Sequence, residues 1–202
     1  MKKVWVLSVV VILLASTSWA VPVTFIHRAD GGEFQGTLDG NPFMVPDFTI
    51  TAFGDTSARE AVAADIFSIN HTSAQIDIPN VGVFTFLTPT RTFVNQGSNA
   101  VGFSRAGSST TDLFNEVAIV AGAFGSYDLL SSIGPIFGDG QLLQWDSPSV
   151  LTTGGVLVFA DGFPENASYL AIVENGGQVS EPGILGLLAL GWLASRRASR
   201  RR

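Results

Sequence analysis

The two histidines, His27 and His71, are the only side chains of this 202-residue chain whose ordinary pKa lies near neutral pH. In a catalytic triad one of them would lie beside an activated serine, but the sequence contains no Gly-x-Ser-x-Gly elbow. A two-histidine metal site would require the fold to bring the pair together, because no HExxH spacing links them. His27 lies at a predicted strand end and His71 lies in a polar turn, so we predict that both are solvated turn residues.

Carboxylates in a cleft are a second source of chemistry, since glycosidases use two of them at a set separation. Asp128, Asp139, Asp146 and Asp161 are candidates for such a pair. The chain has 17 Asp and Glu residues, so some pair always looks suitable. A secreted hydrolase is therefore an alternative rather than the favoured prediction.

Metal binding is a third option, because Asp30-Gly31, Asp139-Gly140 and Asp161-Gly162 each place a carboxylate beside a flexible turn. The oxygens of Asp30, Asp139 and Asp161 are the hard ligands that Ca²⁺ needs on tight loops. No EF-hand spacing is present, and Asp-Gly is also a common plain turn. We therefore expect ordinary turns and no cofactor, with a Ca²⁺ site as the alternative.

Trp145 is a candidate platform on which a sugar ring would stack, as in carbohydrate-binding modules. It lies between the apolar Leu142 and Leu143 and a turn at Ser147-Pro148. This setting favours a tryptophan in the apolar core. Carbohydrate binding, with or without Ca²⁺, remains an alternative function.

The elements that must position these residues are predicted to be β-strands. Roughly a dozen short runs of apolar, β-branched and aromatic residues recur at about 8–12-residue spacing, separated by Gly, Pro, Asn and Asp. This pattern predicts an all-β fold: an antiparallel β-sandwich or jelly-roll-like single domain over residues 21–175.

Local turn signals add detail to this prediction. Polar or glycine-rich turns predict hairpins within residues 66–78, 92–105 and 150–160, and residues 141–145 read as a further strand. Two stretches fit the strand pattern less well. The alanine-rich residues 58–65 favour a helical turn, and residues 112–130 fit either a short helix or two strands.

Charge and cysteine content limit the partners. Residues 21–180 hold four arginines against sixteen carboxylates, a net charge of −12. Such a field repels nucleic acid and anionic lipid and favours solubility outside the cell. The chain has no cysteine, which excludes disulfides, thiol nucleophiles and Cys-ligated metal sites.

Residues 1–20 have the form of a secretory signal peptide. Lys2 and Lys3 supply the charged start, and residues 4–14 supply the apolar stretch. Ser18 and Ala20 are the small residues that a signal peptidase inspects, so we predict cleavage after Ala20. An uncleaved N-terminal anchor is the alternative, and either reading predicts export.

Residues 176–202 read as a short linker followed by a three-part tail. A turn-prone motif and an apolar segment over residues 183–195 precede an arginine-rich end at residues 196–202. A helix over these 13 apolar residues spans about 20 Å, less than a hydrocarbon core of about 30 Å. It would cross a thinned bilayer with its arginines snorkelling, and arginines beside a span stay cytoplasmic. A buried C-terminal helix is the alternative. The motif is Ser180, Glu181, Pro182 and Gly183, and the membrane-stop arginines are Arg196, Arg197, Arg200, Arg201 and Arg202.

This tail resembles the PEP-CTERM sorting signal of bacterial envelope and matrix proteins. Glu181 and Pro182 match two positions of its Pro-Glu-Pro motif, Ser180 stands in place of the first proline, and Gly183 is a frequent follower. The resemblance implies a bacterium of the Gram-negative type. It also implies recognition by an exosortase, a membrane cysteine protease that removes the tail.

Both ends together predict an exported, non-enzymatic protein of the cell surface or extracellular matrix. The expected partners are the Sec translocon, signal peptidase and, by resemblance, an exosortase. The inner membrane would hold the chain transiently, and an exopolysaccharide matrix would receive it. Nucleic acid is not an expected partner, because the domain is strongly acidic.

Overall fold

The computed structural model describes residues 20–107, 111–146, 148–162, 164 and 166–174. These residues form an all-β structure in which every ladder is antiparallel and the single helix is a 3₁₀ turn at Thr56–Ala58. The predicted all-β, antiparallel class is therefore confirmed, and the fold is consistent with a β-sandwich. The predicted signal peptide up to residue 19 and the predicted sorting tail over residues 180–202 lie outside the described residues.

Fifteen strands follow one another along the described chain, and most of them coincide with the predicted apolar runs. They are β1 (Pro22–Asp30), β2 (Phe34–Leu38), β3 (Asn41–Val45), β4 (Phe48–Asp55), β5 (Arg59–Ala63), β6 (Ile66–Asn70), β7 (Ser73–Ile78), β8 (Gly82–Thr85), β9 (Thr90–Asn95), β10 (Ala100–Arg105), β11 (Asp112–Ala118), β12 (Ile133–Leu142), β13 (Val150–Thr152), β14 (Gly155–Phe159) and β15 (Asn166–Val173).

The strands form two sheets. Eleven of them form a larger sheet in the order β5-β6-β9-β10-β11-β12-β15-β1-β4-β7-β8, and four form a smaller sheet in the order β13-β14-β2-β3. The larger sheet folds over so that its halves face each other, because His27 on β1 reaches Thr92 on β9 and Glu116 on β11. The two sheets meet where the N–H of Leu87 donates to the carbonyl of Leu151 at 2.8 Å.

Alternating burial along the strands builds the core. On β7, Ala74, Ile76 and Ile78 are buried and the residues between them are exposed, as a strand with one solvated face requires. The inward faces pack into one apolar cluster that includes residues of both sheets. Its largest fully buried side chains are aromatic: Trp145, Tyr169, Phe25, Phe48, Phe103, Phe114, Phe124 and Phe159.

Two of the three predicted hairpins are confirmed. β9 pairs with β10 and β13 pairs with β14, as the turns within residues 92–105 and 150–160 predict. The hairpin within residues 66–78 is wrong, because β6 pairs with β5 and β9 whereas β7 pairs with β4 and β8. The folding of the larger sheet separates these two consecutive strands.

The ambiguous stretches also become strands. Residues 59–63 form β5 rather than a helical turn, since pairing with β6 outweighs the local preference of alanine. Residues 112–118 form β11, and turns follow from residue 119. The strand predicted at residues 141–145 is only the end of β12, which begins at Ile133 and stops at Leu142.

The first and last strands of the described chain are neighbours near the middle of the larger sheet. Val23 pairs with Val173, and the N–H of Glu174 donates to the carbonyl of Pro22 at 2.9 Å. Both ends of the described chain therefore leave the sheet at the same end of these strands. Within that part of the chain, no helix is long and apolar enough to cross a membrane.

Candidate functional site

A chain of hydrogen bonds runs through the interior between the two halves of the larger sheet. His27 Nδ1 lies 2.9 Å from Glu116 Oε1, and His27 Nε2 lies 3.0 Å from Thr92 Oγ1. The same Thr92 Oγ1 lies 2.9 Å from His71 Nε2, and His71 Nδ1 lies 2.9 Å from Thr90 Oγ1. We call these five residues the histidine network. It joins β1, β9, β11 and the connection between β6 and β7.

A single hydroxyl hydrogen sets the proton pattern of this network. Thr92 carries one such hydrogen and donates it to one imidazole only. The Nε2 atom of the other ring must then carry a hydrogen of its own and donate it to Thr92. One ring therefore carries a hydrogen on Nε2 and the other does not, and exchanging these roles requires the hydroxyl to rotate and both rings to change tautomer.

Burial governs the charges of the histidine network. His27 and Glu116 are buried, whereas His71 is partly buried. Burial lowers the pKa of His71 well below its ordinary value, and the nearby His27 lowers it further. Burial raises the pKa of the Glu116 carboxyl, although His27 opposes that shift. Burial also raises the pKa of Tyr169, whose ring centre lies 5.1 Å from that of His27.

The prediction that both histidines are solvated turn residues is wrong. β1 continues to Asp30, so His27 lies inside the strand and in phase with the inward-facing Phe25 and Val23. That two-residue phase is the signal in the sequence that places His27 inside. His71 follows β6, and its ring stacks on Phe103 with ring centres 5.4 Å apart.

A groove of about 480 Å³ crosses the outer face of the larger sheet over β9, β10, β11 and β12. Two rows of paired residues run across these strands and define it. The first row is Asn95, Ala100, Val117 and Asp139, and the second row is Phe93, Gly102, Asn115 and Gln141. Ser98, Asp112 and Gly140 complete the lining. We call this feature the β9–β12 groove.

Glycine at position 102 allows two side chains to lie across the groove. A Cβ there would stand 2.2 Å from Asn115 Oδ1 and 2.5 Å from ring carbons of Phe93, so any larger residue would push these two side chains aside. Phe93 remains partly exposed. Asn115 Oδ1 is buried and has no hydrogen-bond partner among the described residues, while its Nδ2 lies 3.4 Å from Asp112 Oδ2.

The three predicted metal candidates lie in different surroundings. Asp139 lines the β9–β12 groove, Asp30 lies 3.1 Å from Arg28, and Asp161 borders a smaller hollow of about 270 Å³. The turn predicted at Asp139-Gly140 is wrong, because pairing with β11 keeps both residues in strand β12. Across the described ranges, no group of three His, Cys, Asp or Glu side chains is placed to hold a metal ion.

The remaining acids considered for a glycosidase pair have cationic partners. Asp128 lies 3.9 Å from Arg59, and the charge of Asp146 acts on Arg105. Arg105 is buried, and it donates to the carbonyls of Gln144, Trp145 and Pro148. These contacts hold the segment between β12 and β13 against β10.

Trp145 is a core residue, as the sequence predicts. Its side chain is 0% exposed, and its Nε1 donates to the carbonyl of Leu113 at 2.7 Å. Phe86 and Phe159 pack against the indole, with the Phe159 ring centre 4.9 Å away. A buried indole offers no face to a sugar, so Trp145 is not a carbohydrate platform.

Comparisons with known proteins add no function, since no family model, curated protein or solved structure matches this chain. The functional argument therefore rests on the chain's own residues. His27 and Glu116 are buried, so the histidine network holds strands together rather than meeting a ligand from solvent. The β9–β12 groove is one feature of the described surface that is open to partners.

Proposed function

We propose that this chain is an exported, non-enzymatic β-sandwich or jelly-roll-like protein of the bacterial cell surface or extracellular matrix. Its first 20 residues act as a signal peptide, which passes the Sec translocon and is cut after Ala20. Its tail, with Ser180, Glu181 and Pro182 as the recognition element, anchors it in the inner membrane until an exosortase releases it. The three-part order of that tail is the observation that carries the proposal.

The arrangement of the chain ends supports this route. Val23 and Val173 are paired neighbours, so the segments that lead to the signal peptide and to the tail start from the same end of the domain. Eight residues, 175–182, lie between Glu174 and the apolar segment that begins at residue 183. The domain can therefore fold while both hydrophobic segments sit in one bilayer.

The spacing of acids in the β9–β12 groove supports a non-enzymatic role. Asp112 and Asp139 are the carboxylates that line it. Asp139 pairs with Val117, five residues beyond Asp112 along β11, which separates the two acids by about 15 Å of strand. Glycosidases hold their two carboxyls about 5–9.5 Å apart.

Replacing Glu181 and Pro182 together with alanine tests the sorting role. We expect the variant to stay in the membrane fraction at its precursor mass, while the wild type is shortened and released to the surface or medium. Immunoblots of fractionated cells measure both effects. Glu174→Ala, an exposed acid at the end of the described domain, is the matched control and should be processed normally.

Two outcomes would overturn the proposal. Unchanged maturation and release of the Glu181 and Pro182 variant would remove the sorting role of the motif. Recovery of the full-length wild type from the cytosol, with both ends intact, would remove export itself.

A further inference from the structure

We propose that the β9–β12 groove binds a neutral polysaccharide chain. This inference deepens the proposed function by naming the class of its partner, and it rests on that function because an exported matrix protein meets such polymers. The groove lies on an open sheet face across four strands, so a chain can continue beyond both of its ends. Its volume of about 480 Å³ falls within the roughly 300–1,000 Å³ of ordinary ligand sites.

The polar lining of the groove matches the chemistry of sugar hydroxyls. A hydroxyl both donates and accepts hydrogen bonds, and a side-chain amide does the same. Three amides line the groove on three different strands: Asn95, Asn115 and Gln141. The carboxylates of Asp112 and Asp139 add acceptors near the two ends of β11.

The apolar lining matches the C–H faces of a sugar ring. Phe93 lies over Gly102 in the middle of the groove, with part of its surface exposed. Ala100 and Val117 occupy the neighbouring row, and Val117 is 49% exposed. An aromatic ring that is fixed against a glycine can contact a pyranose without losing further side-chain freedom.

Asn115 supplies an acceptor that the described part of the protein leaves unused. Its Oδ1 atom is buried and makes no hydrogen bond there, which is an unfavourable state for a polar atom. Rotation away is restricted, because the Nδ2 atom of the same amide contacts Asp112. Oδ1 is covered in the free protein, so a sugar hydroxyl donates to it only once the side chains that cover it move aside, and that bond would then satisfy the amide.

The charge of the groove selects a neutral polymer over an anionic one. Its described lining holds two carboxylates and no cationic side chain. Arg91 lies in the adjacent row of paired residues, donates to Ser104 at 2.9 Å, and acts through its charge on Asp112. The surrounding domain is itself acidic, so a polyuronate would be repelled.

The test is affinity electrophoresis of the full-length chain through gels that contain polysaccharide. The protein is purified in a polyoxyethylene detergent, which has no sugar headgroup to compete. The probes are a neutral glucan, a polyuronate and the exopolysaccharide of the producing cells. We expect retardation by the neutral glucan or by a neutral fraction of the exopolysaccharide, and none by the polyuronate.

Three variants locate the site. Phe93→Ala and Asn115→Ala should each raise the dissociation constant for the polysaccharide about tenfold. This is the effect of losing one stacking or hydrogen-bonding contact in a shallow site. Gly102→Ala keeps both side chains but forces them off the groove, and it should have the same effect. Phe137→Ala is the matched control, because this aromatic is 63% exposed on β12 outside the groove lining and should bind normally.

The outcomes separate this proposal from the proposed function. Equal retardation of wild type and all groove variants, retardation by the polyuronate alone, or no retardation by any neutral polymer would overturn it. Loss of binding on addition of a chelator would point to a metal-dependent site instead and would also overturn it. The assay does not depend on export, so a failure here leaves the sorting result untouched. Circular dichroism of each variant excludes loss of the fold as a cause.

Discussion

The side chains of His27 and His71 meet at Thr92 Oγ1, and this shared hydroxyl limits how many protons the interior can take up. If both rings were fully protonated, both Nε2 atoms would donate to one oxygen and two cations would face each other in a buried space. The folded protein therefore resists protonation of His71, as the lowered pKa of that residue indicates.

This resistance predicts acid sensitivity. In the unfolded chain, His71 takes up a proton below its ordinary pKa of about 6.5, whereas the folded chain does not until the pH is well below that value. The unfolded state then binds more protons, so the free energy of unfolding should fall as the pH falls below about 6.5, by up to about 1.4 kcal/mol per pH unit. Glu116 has the opposite effect on the free energy of unfolding. Its raised pKa means that the folded state takes up a proton more readily than the unfolded state, which stabilises the fold as the pH falls.

Comparison with His71→Asn isolates the contribution of this histidine. Asparagine does not titrate, so the variant should be less stable at pH 7.5 through lost hydrogen bonds but should lose less further stability down to pH 5. Urea unfolding at several pH values measures both curves. Parallel curves for the wild type and the variant would show that His71 contributes nothing to acid sensitivity.

At the scale of elements, β11 and β12 approach each other unusually closely at Gly138. A Cβ at that position would lie 1.8 Å from the carbonyl oxygen of Val117, which belongs to the paired backbone and not to a mobile side chain. We therefore expect Gly138→Ala to separate the two strands and to reduce the free energy of unfolding by about 2–4 kcal/mol.

Gly97→Ala is the matched control for this change. Its added Cβ would meet only Asn95 Oδ1 at 3.5 Å, an ordinary contact in the turn between β9 and β10. Its effect should stay within about 0.5 kcal/mol. Urea unfolding followed by the fluorescence of Trp145, the single tryptophan of residues 20–174, reports both variants. Equal stability of Gly138→Ala and Gly97→Ala would mean that the strands can shift to admit a side chain.

Local turn chemistry predicts elements well here, and long-range pairing decides the rest. The hairpin of β13 and β14 follows from Thr153-Gly154-Gly155, which the sequence displays directly. The separation of β6 from β7 does not, because it depends on how the larger sheet folds over. Strand β3, which begins at Asn41 directly after a turn, has too few β-branched residues to stand out.

The candidate sites depend on the same long-range pairing. The β9–β12 groove exists because the register across four strands places Asn95, Asn115 and Gln141 on one face. No local pattern connects residues so far apart in sequence. The burial of His27 can be predicted from the sequence, because its phase with Phe25 marks it as inward-facing. Its contact with Glu116, 89 residues away, cannot be predicted in this way.

At the scale of the whole molecule, the order in which the strands are synthesised differs from their order in the larger sheet. The last described strand, β15, lies between β12 and β1 in the middle of the larger sheet. Ala171 pairs with both Phe25 and Ile133, and Tyr169 packs beside His27 in the interior. Until β15 emerges, β1 and β12 each lack a partner on one edge. The domain should therefore stay unfolded until nearly its whole length is available, which suits the transport of an extended chain in the export route that we propose.

Truncation before or after β15 tests this coupling. A chain of residues 21–164 should show no cooperative unfolding and should be digested rapidly, because two central strands lose a partner and the core loses Tyr169 and Ala171. A chain of residues 21–174 keeps every described strand, and it should unfold cooperatively in urea. Adding a peptide of residues 165–174 to the shorter chain should restore protease resistance, since the missing strand can pair in trans. Cooperative unfolding of the shorter chain alone would show that the other strands fold into a stable sheet without β15.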